Sequence, residues 1–432
     1  MDLTVTLEAR YFVTPDGTGW TASGTAQKFW RRYLEVFDHV RIVARAVPVE
    51  RALPAWLPVT GDGVSLIPMP NYLGPWSYLR RSRAFQRAIR AARPKQGAVI
   101  LRVPSHLGGC LERYLRERKH PYALEVVGDP QEVFAPGVVD HPLRPFFRWH
   151  FSRQLRRQCR EANGVAYVTE RVLQMRYPAK SMVGISDAQI DERALAEGGL
   201  WSHYSSIDLE SEAIGNARGG PNQKTYRLVA VGSLAQRYKG IDVLIGAVAR
   251  CVEAGLNLTA VVVGDGRFRS ELEARAKRLG VAARISFIGE VPAGKPVRDI
   301  LDASDLFVMP SRTEGLPRAM IEAMARGLPC IGSAVGGIPE LLDAGNMVMP
   351  DDPDALAAKI REVLGDHVRM SEMSQRNLAT AKKYAEPVLA ARRRLFYEQV
   401  RDFTEAWERR SLARRCKLPD HEVRLSNGRR SA

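Results

Sequence analysis

The chain has 432 residues, 45% of them hydrophobic and 26% charged, which suits two sizeable α/β domains of a soluble globular protein. No apolar run approaches the ~20 residues of a membrane span, and the start, M-D-L-T-V-T-L-E-A-R, lacks the basic-then-apolar order of a signal peptide. The five cysteines (Cys110, Cys159, Cys251, Cys330, Cys416) are scattered and odd in number, which argues against a disulfide framework or metal cluster and for a reducing cytosol. The 64 basic residues against 48 acidic ones leave a net charge of +16, a field that favours anionic partners: a membrane surface, nucleic acid or an anionic substrate.

In chain order, Thr4 to Leu7 predicts a strand, followed by a loop rich in glycine and hydroxyls, Thr14 to Thr25, that contains Gly17 and Gly19. A helix with Phe29, Tyr33 and Phe37 at four-residue spacing comes next, and then the strand Val40 to Val43. Strand, loop, helix, strand suits a parallel sheet with its ligand at the strands' C-terminal ends. Such a loop could bring backbone N–H groups to an anion, or serve only as a connection. Ser77 to Lys95 predicts a basic helix, Val99 to Val103 and Tyr122 to Val127 predict strands, and G-D-P-Q-E-V-F-A-P-G follows as a long loop. His141 to Arg160 predicts a helix with six arginines and no acid, with Phe147, Phe151 and Leu155 repeating at four. The two basic helices could lie on an anionic membrane surface, or pack on the core with solvated arginine faces. Nucleic acid is disfavoured, because no binding motif is recognisable and the aromatics are expected on an apolar stripe rather than among the arginines.

Trp201 to Lys224 is polar and turn-rich, and its latter part predicts an interdomain linker. Beyond it strands are predicted at Arg227–Val231, Thr259–Val263, Arg284–Ile288, Asp305–Met309 and Leu328–Ile331. Helices are predicted at Gly240–Ala254, Phe268–Leu279, Pro296–Ala303 and Pro317–Arg326. Strict alternation with short connections predicts a doubly wound parallel sheet. The last long helix, Val388 to Arg409, carries Phe396, Val400, Phe403 and Trp407 on a stripe that needs a surface to cover.

Chemistry concentrates in M-P-S-R-T-E-G-L-P-R-A-M-I-E-A-M-A-R-G, from Met309 to Gly327. Glu314 and Glu322 stand eight positions apart, which along a helix is about 12 Å and too far for a close carboxylate pair. They would occupy two neighbouring subsites beside a helix N-terminus that favours an anion, or be a loop acid and a solvent-facing helical acid. V-G-S-L-A-Q-R-Y-K-G places Arg237 and Lys239 before a helix, where two cations could clamp a diphosphate or stay solvated. V-G-D-G, ending at Gly266, lacks the third glycine of a dinucleotide fingerprint and predicts a tight turn. V-G-G-I-P-E, Val335 to Glu340, is a second glycine turn entering a helix, and the eight histidines show no metal spacing.

Taken together, V-G-S-L-A-Q-R-Y-K-G-I-D-V-L-I, V-V-V-G-D-G-R-F-R-S-E-L, I-S-F-I-G-E-V-P, the Met309 stretch extended from Asp305 to Ser333, and V-G-G-I-P-E resemble, in order, the blocks of a GT-B glycosyltransferase of family 4. Glu314 and Glu322 match that family's E-x7-E motif. The resemblance implies an α/β protein with two Rossmann-like domains facing a cleft. Residues 1–205 would bind the acceptor, 206–224 would link the domains, and 225–385 would bind the nucleotide sugar. A helix over 386–410 would cross back to the first domain, and 411–432 would form a basic tail. It further implies that Glu322 binds the ribose, Glu314 contacts the donor sugar, and Lys239 binds the diphosphate with the N–H groups of Arg318 and Ala319. Gly315, Leu316, Gly266, Gly17 and Gly19 would line the donor. Where the family has an arginine this chain has Ser233, and Arg237 is expected to supply its charge. Where the family has a histidine this chain has Val127, and Glu125 or Asp129 is expected to work in the sugar pocket. The expected function is retaining transfer from a nucleoside diphosphate sugar to a glycan or lipid-linked acceptor, in cell-surface polysaccharide synthesis. No metal or cofactor is expected, no nucleic acid partner, and a cytoplasmic location peripheral to the inner membrane face. The alternatives are a GT-B sugar-nucleotide epimerase, or a non-catalytic basic protein that binds membrane or nucleic acid.

Overall fold

The computed structural model describes residues 1–22, 25–72, 74–136, 138–139, 141–180, 201–203, 209–210, 213–218 and 225–416. Most of the expected linker at 206–224 and the tail beyond 416 lie outside the described residues. The chain divides into two compact units: 1–124 with 162–164 and 394–432, and 125–161 with 165–393. Among the described residues no helix is long and apolar enough to cross a membrane.

The first unit contains β1 (Asp2–Val13), β2 (Gly19–Thr21), α1 (Gln27–Leu34), β3 (His39–Pro48), β4 (Leu57–Pro58), β5 (Val64–Pro70), α2 (Gly74–Ala92), β6 (Ala98–Val103) and α3 (His106–Glu117). β1 lies between β3 and β6, and β5 lies beyond β3, all parallel, with Leu3 opposite both Val40 and Ala98. Leu3, Val5, Ile42, Ile100 and Leu101 are buried on these strands, as near-continuous apolar runs covered on both faces require. Val43, Met69, Phe85, Ile89, Ala92 and Leu107 form the core under α2. The C-terminal helix, Glu386–Cys416, covers α1: Tyr397 stacks on Tyr33 with ring centroids 4.7 Å apart. Further on, Trp407 lies against His120, and the Glu408 carboxylate accepts the Gly97 N–H at 2.7 Å.

The glycine-rich loop differs from the sequence expectation. It forms a hairpin, with β2 antiparallel to β1 and to β4, before α1 begins. Gly17 N–H bonds Thr14 O at 2.9 Å, and Gly19 N–H bonds the Thr60 hydroxyl at 3.0 Å. The reading of Gly17 and Gly19 as an anion cradle is corrected accordingly: turn closure and the Thr60 hydroxyl already use the two N–H groups.

The second unit begins within β7 (Ala123–Val126) and continues through α4 (Pro130–Val133), α5 (Arg144–Glu161), β8 (Gly164–Tyr167), α6 (Val172–Arg176) and β9 (Trp201–His203). It then follows the alternation expected: β10 (Tyr226–Val231), α7 (Ile241–Glu253), β11 (Leu258–Val263), α8 (Arg269–Arg278), β12 (Ile285–Gly289), α9 (Lys295–Asp302), β13 (Leu306–Met309), α10 (Arg318–Ala325) and β14 (Cys330–Ser333). α11 (Ile338–Leu341), β15 (Met347–Val348), α12 (Pro353–Leu364) and α13 (His367–Lys382) complete it. The parallel sheet runs in the order β12-β11-β10-β13-β14-β15, a doubly wound sheet whose order reverses between β10 and β13. Its core joins Leu228, Ala230 and Val262 on the strands to Leu244, Val248, Leu356 and Ile360 on α7 and α12.

α5 also departs from expectation. Phe147, Phe151 and Leu155 do face inward, the two phenylalanines against Phe134. Phe146 and Trp149, however, stand exposed among the arginines. The four-residue repeat marks the buried stripe and says nothing of aromatics placed between its members.

Candidate functional site

In an open α/β sheet, ligands bind beyond the carboxyl ends of the strands where the order reverses. Here that point lies between β10 and β13, so the loops after these two strands meet there: Gly232 to Gly240, and Pro310 to Pro317. Gly240 has φ +64°, and a Cβ on it would stand 1.8 Å from the Pro310 carbonyl oxygen. Only glycine allows the two loops to approach so closely.

The contact is locked by Arg312. Its guanidinium bonds both carboxylate oxygens of Asp242, at 3.0 and 2.8 Å, and also Arg237 O at 2.6 Å, while its N–H bonds Tyr238 O at 2.7 Å. Burial opposes ionisation of Asp242, but the bonds and charge of Arg312 outweigh it and hold the carboxyl below its ordinary range. The result is that Lys239 Nζ lies 2.6 Å from Glu314 Oε1, with the side chains 14% and 8% exposed. Ser311 donates its hydroxyl to the same oxygen at 2.7 Å. Gly232 leaves room for the lysine stem, since a Cβ there would stand 2.9 Å from Lys239 Cδ and Cε. Ser311, Arg312 and Asp242 escaped the sequence reading, although Ser311 and Arg312 lie within the stretch containing Glu314 and Asp242 follows Lys239 by three positions. Their pairing is a long-range contact that spacing does not reveal.

Glu322 is the half-buried acid of α10. It has no hydrogen-bond or ion-pair partner among the described residues, and burial raises its pKa against the lowering influence of Arg318. A carboxylate held so, with both oxygens unused, suits a pair of ligand hydroxyls. At the start of the same helix, on either side of Pro317, the N–H groups of Leu316, Arg318 and Ala319 meet no acceptor among the described residues. Free N–H groups at a helix start can take an anion.

The V-G-G-I-P-E turn supports this stretch from behind. Gly336 has φ +53° and would place a Cβ 1.8 Å from Glu314 O, while Gly337 donates its N–H to Gly315 O at 2.8 Å. A Cβ on Gly315 would stand 3.6 Å from Val127 O. Glu340, at the end of the motif, accepts the N–H groups of Glu170, Arg171 and Val172 at 2.7, 3.0 and 2.7 Å. Gly266 acts in packing, since its Cβ would fall 2.1 Å from Ala235 N.

Two further expectations are corrected. Arg237 does not converge with Lys239: it pairs with Glu271 at 2.7 Å and lies over the Phe268 ring, 5.0 Å from its centroid, because the turn of 3-10 helix at 237–239 sends neighbouring side chains apart. Asp129 is not a free sugar-pocket acid. It caps α4 through Gln131 N–H at 2.8 Å and also accepts from Arg176 and the Tyr177 hydroxyl, so its carboxylate is used within the fold. Glu125 is buried on β7. The structure therefore brings together Lys239, Glu314 and the start of α10, with Glu322 along that helix, and leaves Arg237 and Asp129 with other partners.

Residues 225–366 match the family model described as Glycosyl transferases group 1. Protein CapJ of Staphylococcus aureus is 25% identical over 363 residues, 83% of this chain and 85% of that protein. The lipopolysaccharide core biosynthesis mannosyltransferase LpsB of Rhizobium meliloti (strain 1021) is 32% identical over 158 residues, 34% of this chain and less than half, 44%, of that protein. Among solved structures, Anabaena Alr3699/HepE in complex with UDP-glucose superposes with a TM-score of 0.60 at 16% identity, covering 94% of this chain and 100% of that one; this likeness concerns the fold. Residues 225–366 thus match the glycosyltransferase group 1 model, and the chain has the fold of the GT-B glycosyltransferases it resembles.

Proposed function

We propose that this chain transfers a sugar, with retention at the anomeric carbon, from a nucleoside diphosphate sugar to a glycan or lipid-linked saccharide in cell-surface polysaccharide assembly, as a family 4 enzyme. The observation that carries the reading is the arrangement along α10: the unpaired, half-buried Glu322, free N–H groups at the helix start, and the Lys239–Glu314 pair at the sheet's reversal point. Glu322 accepts the two ribose hydroxyls. The N–H groups of Arg318 and Ala319, with Lys239, hold the diphosphate and stabilise the charge that grows on it as the bond to C1 breaks. No metal enters this reading. Glu314, fixed by Lys239 and Ser311, faces the positive charge that develops on the sugar. The departing phosphate oxygen takes the proton of the acceptor hydroxyl, whose oxygen bonds C1 on the face that the phosphate leaves, so no protein base is needed. The relative named as a lipopolysaccharide core mannosyltransferase and the fold neighbour solved with UDP-glucose support the donor and acceptor classes.

The test is a thermal-shift series with UDP, GDP and ADP, then the corresponding sugar nucleotides. One base should raise the melting temperature, and Glu322→Ala should remove the shift. If no nucleotide stabilises the wild type, the donor-site reading fails.

A further inference from the structure

α5 exposes a face that its own unit leaves largely uncovered, although Arg156 on it donates to Arg176 O at 3.1 Å and Arg157 lies 3.9 Å from Glu161. At 100° per residue, Phe146, Trp149, Arg153, Arg156, Arg157 and Arg160 share one arc of about 100°, and Phe147, Ser152, Leu155, Gln158 and Cys159 lie opposite and inward. The outward face is graded along the helix. Its first half carries Phe146 and Trp149, 51% and 59% exposed, with Leu143, 54% exposed, just before the helix. Its second half carries the arginines, and Arg153 lies over the Trp149 ring, 5.9 Å from the centroid. The helix has six arginines against a single acid, Glu161 at its last position. Beside the face is an open groove of about 480 Å³ lined by Arg148, Arg153, Arg156, Gln131, Ser152 and Trp149.

We propose that this face of α5 docks on an anionic lipid bilayer. Phe146, Trp149 and Leu143 enter the interface, and the arginines and the groove take lipid phosphates. An exposed aromatic pair beside guanidinium groups would also suit single-stranded nucleic acid. Leu143 and the 42% exposed Val133 of α4 favour the bilayer, because an aliphatic side chain gains by entering hydrocarbon and offers a base nothing to stack on. A graded face, apolar at one end and cationic at the other, also matches a surface whose charge lies above its apolar layer. The inference does not depend on the donor-site reading, since docking needs neither nucleotide nor turnover.

The test is flotation of the full chain with vesicles of phosphatidylcholine alone or mixed with phosphatidylglycerol, in low and high salt. Binding should require phosphatidylglycerol and weaken as salt rises. Phe146→Ser with Trp149→Ser should weaken it, and Arg153→Glu with Arg160→Glu should weaken it about tenfold or more, each arginine contributing separately. Both double variants should keep the wild-type circular dichroism spectrum, which separates lost docking from lost folding. Equal binding to both vesicle types, no binding to either, or full binding by both folded variants overturns the proposal. So does displacement of the bound protein by a single-stranded oligonucleotide that binds the wild type more tightly than the vesicles do.

Discussion

Glu322 is a carboxylate kept half out of water with no partner among the described residues, and its chemistry follows from that. Burial raises its pKa above the ordinary 4.5. Between 4.5 and the raised value the native state holds a proton that the unfolded chain has lost, so this group makes the fold less stable as pH rises through that window. Glu322→Gln should therefore leave the unliganded protein at least as stable as wild type at neutral pH, while weakening nucleotide binding about 10- to 100-fold, the worth of hydrogen bonds to a charged group. Wild-type binding should fall as the pH drops through the raised pKa, because a protonated acid loses acceptor capacity. Isothermal titration across pH 4 to 8 in both proteins tests this, and a pH profile unchanged by the substitution would remove Glu322 from the site. Lys239 and Glu314 behave oppositely, since each leaves a nearly buried charge when the other is lost. Lys239→Met and Glu314→Gln should each destabilise by about 3 kcal/mol, and the double variant by less than their sum. Urea unfolding of the four proteins gives the coupling, and additive losses would show that the pair is not held as described.

At the scale of elements, the site is an assembly of turns that only glycine permits. Gly240 lets the loop after β10 touch the loop after β13, and Gly336 lets the V-G-G-I-P-E turn support Glu314. Gly336→Ala combines a positive φ with a Cβ 1.8 Å from Glu314 O, so the supported backbone must move. The variant should lose about 1–3 kcal/mol of stability. Its affinity for the nucleotide sugar should fall more than its affinity for the free nucleotide, because the displaced backbone belongs to Glu314 and not to Glu322. Calorimetry with both ligands reads the difference, and equal losses would contradict it. The second-half strands and helices agree with their sequence patterns to within a few residues, since apolar runs and amphipathic stretches alternate cleanly there. The Thr14 to Thr25 stretch does not: it folds back as a hairpin on β1, and the further pairing of β2 with the distant β4 is a contact that local composition does not announce.

At the scale of the molecule, the C-terminal helix contributes part of the first unit's core. Phe396, Tyr397 and Val400 are buried, and Tyr397 closes the aromatic group around Tyr33. Tyr397→Ala should cost about 3–5 kcal/mol. Hydrogen exchange should speed up in β1, β3 and β6 while β10, β11 and β13 keep their protection. Uniform loss across both units would show that the helix does not act through the first unit's core. Part of the net charge of +16 is displayed on the outward face of α5, where charge and apolar surface occur together.

The sequence by itself determined the doubly wound order of the second half and the block pattern that points to sugar transfer, and it singled out Glu314, Glu322 and Lys239 as candidates. These are local properties: periodicity, glycine and proline placement, and residue types at short spacing. Tertiary structure alone decided which charges meet. It joined Lys239 to Glu314 through the clamp of Arg312 on Asp242, turned Arg237 to Glu271, enclosed Asp129 with Arg176 and Tyr177, and left Glu322 without a partner among the described residues. Each of these outcomes depends on residues dozens of positions apart being brought together by strand order, and a pattern read along one stretch of chain carries no information about that.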